Sequence, residues 1–184
     1  MKIKIAPGTL LMLLLLLPHG GTALPATLVA ALLHELGHLL AARLLGVPIA
    51  LMEIDLLGAK IYPVGLLPSF TAELCLAAAG PAASLCLSLL LLPCTGAFAQ
   101  ALALTSLSLG LFNLLPIGEF DGGRMLHAAL SAYFNDAVAH RTLAVTTYLS
   151  LLALFCLSSC LLLRYGQNLS LAVLTATLFA KFFL

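Results

Sequence analysis

The sequence predicts an all-α polytopic membrane protein, and three observations carry that prediction. Of its 184 residues, 62% are hydrophobic and 8% charged, with a mean hydropathy of +1.17, which excludes a water-soluble domain of ordinary composition. The apolar residues gather into long runs, several near the roughly 20 residues that a spanning helix needs. The few Lys and Arg residues fall almost entirely on one side of those runs.

In chain order the runs are about Ile5–Leu17, Leu24–Leu45, Phe70–Leu92, Ala97–Leu115, Leu143–Leu163 and Leu169–Leu184. The first and last are short and would need tilt or a thinner bilayer to span. Lys2, Lys4, the leucine run Leu10–Leu17 and the small residues Gly21 and Ala23 also fit a secretory signal peptide, whose cleavage would leave five spans in the same orientation. Between the second and third runs, Pro48, Gly58, Pro63 and Gly65 break any helix, and Ile54–Val64 reads as short strand pieces around Gly58. Such a strand-like, membrane-associated segment could pair with an unwound polypeptide by β-addition, or it could serve as a plain connector.

The third run opens near Glu73 and carries the small-residue patch Ala77–Ala83, suited to close helix packing. The fourth ends in Phe112–Arg124, where Pro116, Gly118 and the Gly122-Gly123 pair interrupt the helix. With the N-terminus inside, Lys2, Lys4, Arg43, Lys60, Arg124, Arg141 and Lys181 lie in the cytoplasm and Arg164 lies outside. The expectation is therefore about six transmembrane helices with both termini cytoplasmic. Arg124 and the histidines His19, His127 and His140 read as residues of span ends and loops. Cys75, Cys86, Cys94, Cys156 and Cys160 show no CxxC spacing and read as small packing residues without a disulfide. A net charge of +1 with no Lys/Arg cluster excludes a nucleic-acid partner.

Chemistry enters with His34-Glu35-Leu36-Gly37-His38 inside the second run. Residues four apart share a helix face, so His34 and His38 can ligate one zinc while Glu35 stands beside the open coordination position as the acid/base. Ionisable groups at membrane depth cost a few kcal/mol each unless they are paired, so this cluster points to function. A catalytic zinc takes three protein ligands and a water. Asp121, beside the Gly pair, is the expected third ligand, because one carboxylate and one hydroxide would neutralise Zn²⁺. Glu119, two residues earlier, is its competitor.

Three motifs, HELGH, the FNLLP…DGGR run ending in Arg124, and Ala78–Leu85 with its Gly80-Pro81 pair, together resemble the site-2 protease family over about residues 25–130. The likeness is to its small bacterial members similar to stage IV sporulation protein FB. The resemblance implies zinc-dependent cleavage in or near a substrate's transmembrane helix, with His34, His38 and Asp121 as ligands to one Zn²⁺, Glu35 as acid/base and Asn113 binding the substrate backbone or the oxyanion. It departs from the family at Gly118-Glu119 and at Ser84, where an Asn is common. The sporulation enzyme also carries a C-terminal nucleotide-sensing domain, which is not expected here.

The expectation is one integral-membrane protease domain over residues 1–184, with a catalytic core of about 24–130 and C-terminal helices of about 141–184. Its expected setting is the bacterial cell membrane. Its expected partners are a membrane-spanning protein substrate, the lipid bilayer and a regulatory membrane protein. Alternatives with the same zinc set are a membrane hydrolase of a lipid or small molecule and a non-enzymatic zinc-binding scaffold.

Overall fold

A computed structural model describes residues 2–5, 21–55, 58–65, 69–165 and 169–183. Six helices run through them: α1 (Ala23–Leu44), α2 (Phe70–Leu91), α3 (Ala97–Asn113), α4 (Asp121–Tyr133), α5 (Asp136–Tyr165) and α6 (Leu169–Phe183). The described residues also form three strands, β1 (Lys2–Ile5), β2 (Ile49–Asp55) and β3 (Gly58–Pro63). The protein is thus an all-α membrane protein with one small sheet. Helices α1, α2 and α5 are long and apolar enough to cross a membrane, and α3 and residues Leu171–Phe182 of α6 are shorter apolar helices.

The side-chain pattern follows from a solvent that is itself apolar. On α1 the stripe Leu28, Leu32, Leu36 and Leu40 faces outward, while Ala26, Ala30, His34, His38 and Ala42 face the bundle at the same four-residue interval. Lipid solvates leucine as well as protein does, so helix association rests on close backbone approach through small residues. Gly37 shows how close that approach is. A Cβ there would meet the Ala79 carbonyl oxygen at 2.7 Å and Ala83 Cβ at 2.8 Å, so α1 lies against the small-residue patch of α2. At Gly110, α3 meets Ser84 and Leu85 of α2 in the same manner. Helix α2 is the hub, packing on α1, α3 and α4, while α5 packs on α4 and α6 on α5.

Several expectations change. The strand-like segment is longer than Ile54–Val64: β2 and β3 form an antiparallel hairpin in which Met52 faces Ile61 and Asp55 faces Gly58, and β1 adds in parallel, with Lys2 opposite Leu51. A strand gains stability from its partner, so its extent is invisible to local pattern. Ile5, the expected start of the first span, belongs to β1, and the rest of that run and His19 lie outside the described residues. The expected ligand loop is partly helix, since Asp121, Gly122 and Gly123 open α4. Helix α5 begins at Asp136 rather than Leu143, because hydropathy marks a helix's lipid-buried length and not its hydrogen-bonded length. Asn135 caps it, its Oδ1 accepting from Val138 N at 2.8 Å. All five cysteines are free and exposed, so they face outward instead of packing between helices.

The segment joining α3 to α4 is held by the C-terminal helices. Ile117 and Phe120 are buried with Leu151 and Leu154 of α5 and Leu178 of α6. Gly118 N donates to Thr147 Oγ1 at 3.0 Å, and Lys181 Nζ donates to Glu119 Oε2 at 3.0 Å. Substituting Gly37→Ala is expected to destabilise the protein by about 1–3 kcal/mol, despite alanine's better helix propensity, because the added methyl overpacks the α1–α2 contact. At Gly96, where a Cβ meets nothing within 4 Å, Gly96→Ala should be close to neutral. Thermal unfolding of both variants in detergent, compared with the parent, checks the contrast.

Candidate functional site

Three of the residues expected from sequence meet in the interior. His34 and His38 reach inward from α1, and Asp121 reaches them from the first turn of α4. All three residues are buried, at 3%, 4% and 8% exposure. Nε2 of His34 and Nε2 of His38 are each 3.2 Å from Asp121 Oδ2 and 3.3 Å from each other. Zinc–nitrogen and zinc–oxygen bonds of about 2.0–2.1 Å at tetrahedral angles put neighbouring ligand atoms about 3.3–3.4 Å apart. The triangle formed here has the size of one such face, so the residues fit a metal ion.

The outer nitrogens set the orientation of the rings. Nδ1 of His38 is 2.8 Å from the Leu76 carbonyl oxygen, which can only accept, so Nδ1 donates there and Nε2 is the nitrogen turned toward Asp121 and His34. Nδ1 of His34 is 2.9 Å from Ser84 Oγ, a hydroxyl able to play the same part. Both contacts come from α2, which also supplies the space. A Cβ at Gly80 would collide with the ring atoms of His38 and His34, so only glycine lets the imidazoles lie against this helix. Pro81 follows at once, and its missing N–H and ring interrupt the helical ladder beside the site.

Asp121 divides its two oxygens. Oδ2 faces the imidazoles, while Oδ1 lies 3.8 Å from Arg124 Nη1 one turn along α4. Arg124 is thus beside the carboxylate, where the sequence favoured a simple span-end residue. The approach of Asp121 depends on the two glycines after it. A Cβ on Gly122 would collide with the Leu114 carbonyl and one on Gly123 with the Ile117 carbonyl, so the first turn of α4 folds tightly onto the preceding segment.

The remaining expected residues lie as follows. Glu35 is half-buried on α1, next to His34 in sequence. Asn113 is the last residue of α3, and its amide Nδ2 donates to Leu109 O at 3.0 Å. Glu119, the competing carboxylate, is turned toward α6 by Lys181 and stands outside the cluster. Glu73 is half-buried in the first turn of α2, where its charge suits the helix N-terminus. Sequence reading passed over Ser84 and Gly80 as site residues. A serine in an apolar helix one turn after Gly80 was the available signal for the first, whereas the Leu76 carbonyl has no signature in sequence at all.

Comparison with known proteins finds similarity in sequence and in fold. A sequence profile of peptidase family M50 matches residues 93–157. Rip3 of Mycobacterium tuberculosis, named as a zinc metalloprotease in strains Erdman and H37Rv, is 36% identical over 135 residues, or 67% of this chain and 34% of the relative. The chain therefore spans about a third of the length of the curated relatives it matches. The structure of the site-2 protease from Methanocaldococcus jannaschii superposes with a TM-score of 0.74 at 24% identity, covering 98% of this chain and 88% of that one, which establishes a shared fold. The chain thus carries a segment matching peptidase family M50 and shares the fold of a site-2 protease.

Proposed function

We propose that this protein is an intramembrane zinc metalloprotease that hydrolyses a peptide bond in or near the transmembrane helix of a membrane-tethered protein. The observation that carries this reading is the buried triangle of His34, His38 and Asp121 donor atoms, 3.2–3.3 Å on an edge, set in an apolar helix bundle beside Glu35. A structural zinc site is closed by four protein ligands, whereas three protein ligands leave a position for water. In this reading one catalytic Zn²⁺ is held by His34, His38 and Asp121, and when bound it supplies Lewis acidity to a water and to the scissile carbonyl.

The chain's own residues do the rest. Glu35 takes the proton of the attacking water and returns it to the leaving amine. The Nδ1 contacts to Ser84 and Leu76 keep both imidazoles in the tautomer and orientation that ligation needs. Asn113 spends one amide N–H on Leu109 O and keeps the other, with Oδ1, for the substrate backbone or oxyanion. Strand β3, at the edge of the sheet, offers a ladder to a substrate segment unwound for cleavage. The reading places the protein in a bacterial cell membrane with both termini cytoplasmic, and assigns the catalytic groups to a core of about residues 24–130.

Co-expression with tagged single-span substrates tests the reading. Wild type is expected to cleave; Glu35→Gln is expected to lose cleavage by at least about a hundredfold while keeping its zinc; Asp121→Asn is expected to lose both. Zinc retained with no cleavage of any helical substrate would instead favour a lipid or small-molecule substrate. Removing the orienting hydroxyl in Ser84→Ala should weaken zinc affinity by about 10–100-fold, measured by competition with a chromogenic chelator, with Ser84→Asn expected to recover most of the loss.

A further inference from the structure

The corner between α4 and α5 gathers a second set of metal-type donors. His127 lies on α4, and Asp136 and His140 lie one turn apart on α5, with one ligand atom from each within 4.8 Å of the others. Nε2 of His127 is 3.4 Å from Asp136 Oδ1, and Nε2 of His140 is 3.4 Å from Asp136 Oδ2. The ring centroids of the two histidines are 4.6 Å apart.

These separations are long for charge-assisted hydrogen bonds, which run at about 2.7–2.9 Å. Each is close to the spacing of about 3.3–3.4 Å between ligands that share a tetrahedral metal, one histidine lying on each oxygen of Asp136, so that a shared ion would be taken between the two carboxylate oxygens. Nε2 of His127 is buried and, among the described residues, makes no hydrogen bond. A buried polar nitrogen left in that state is costly, and ligation would offset the cost. Ser131, buried on α4, donates from Oγ to Asp136 Oδ1 at 3.3 Å, the kind of outer contact that orients a ligating carboxylate. Asn135, capping α5, fixes the helical start that brings Asp136 and His140 to one face.

We propose that His127, Asp136 and His140 form a second divalent-metal site, separate from the buried trio. Two imidazoles and a carboxylate suit zinc, or another transition ion that imidazole binds well. Asp136 and His140 are largely exposed, with 69% and 67% of their side-chain surface accessible, so the remaining coordination positions open to water. An ion there pins α4 to α5, and α4 is the helix whose first residue is Asp121. The site is therefore placed to hold the segment that delivers Asp121 to the buried histidines.

The test is zinc stoichiometry of the full chain in detergent, stripped by chelator, titrated with Zn²⁺ and measured by elemental analysis. Wild type is expected to bind about two zinc ions per chain, the exposed one released first by chelator. His127→Gln and His140→Gln should each lose the more labile ion and keep the other. Because His140 is exposed, its substitution leaves the packing intact, and the retained ion reports on folding. Asp121→Asn should lose the tightly held ion and keep the labile one. If the buried trio binds no zinc, a single ion removed by His140→Gln but unaffected by Asp121→Asn still supports the second site. A wild-type stoichiometry that neither histidine variant lowers overturns it and leaves the cluster an ion-pair network.

Discussion

Lipid offers no hydrogen bonds, so each polar group carried to membrane depth must be answered by the protein, and the answer here is the meeting of Asp121 with His34 and His38. No one of these groups could be buried alone without a cost of several kcal/mol. Brought together with their outer nitrogens on Ser84 and Leu76, and with Arg124 3.8 Å from the far carboxylate oxygen, they form a buried donor set whose inner atoms suit a shared cation. Much of the architecture serves to bring one residue of α4 to two residues of α1.

Glycine and alanine make that meeting possible. Gly37 lets α1 touch α2, Gly80 leaves room for two imidazoles, and Gly122 and Gly123 let the start of α4 fold onto the α3–α4 segment. Each gives up side-chain packing for backbone proximity, which is how helices associate where the solvent is hydrocarbon. The same economy explains the leucine stripe on the outer face of α1. Larger apolar side chains pack where Ile117 and Phe120 dock on α5 and α6, and there they anchor the segment that leads to Asp121.

The two histidine–aspartate clusters make an instructive pair. In one, both imidazoles come from a single helix and the carboxylate from another, and all three are buried. In the other, an acid and an imidazole share α5 and the second imidazole comes from α4, at an exposed corner. Both use the four-residue interval to put two donor side chains on one helix face. Helix α4 contributes to both, with Asp121 as its first residue and His127 at its middle, so the two clusters share a single rigid element.

Much of this was legible in the sequence because lipid imposes strong local rules. Apolar length revealed α1, α2 and α3 to within about two residues, since a spanning helix must be long and apolar whatever surrounds it. The pair His34 and His38 was legible because helical spacing alone puts both on one face. The third partner was favoured but not fixed locally: the Gly pair beside Asp121 pointed to it, Glu119 two residues earlier competed, and their separation follows from where α4 starts, from Gly122 and Gly123 folding it inward, and from Lys181 drawing Glu119 to α6. Ser84, Gly80, the Leu76 carbonyl, the addition of β1 to the hairpin and the gathering of His127 with Asp136 and His140 likewise depend on contacts between segments distant in sequence or joined by a turn. The sequence by itself determined the long apolar helices and the donor types, because periodicity and hydropathy act along the chain. Only the tertiary structure decided which donors converge, because convergence depends on distances between helices that no local pattern encodes.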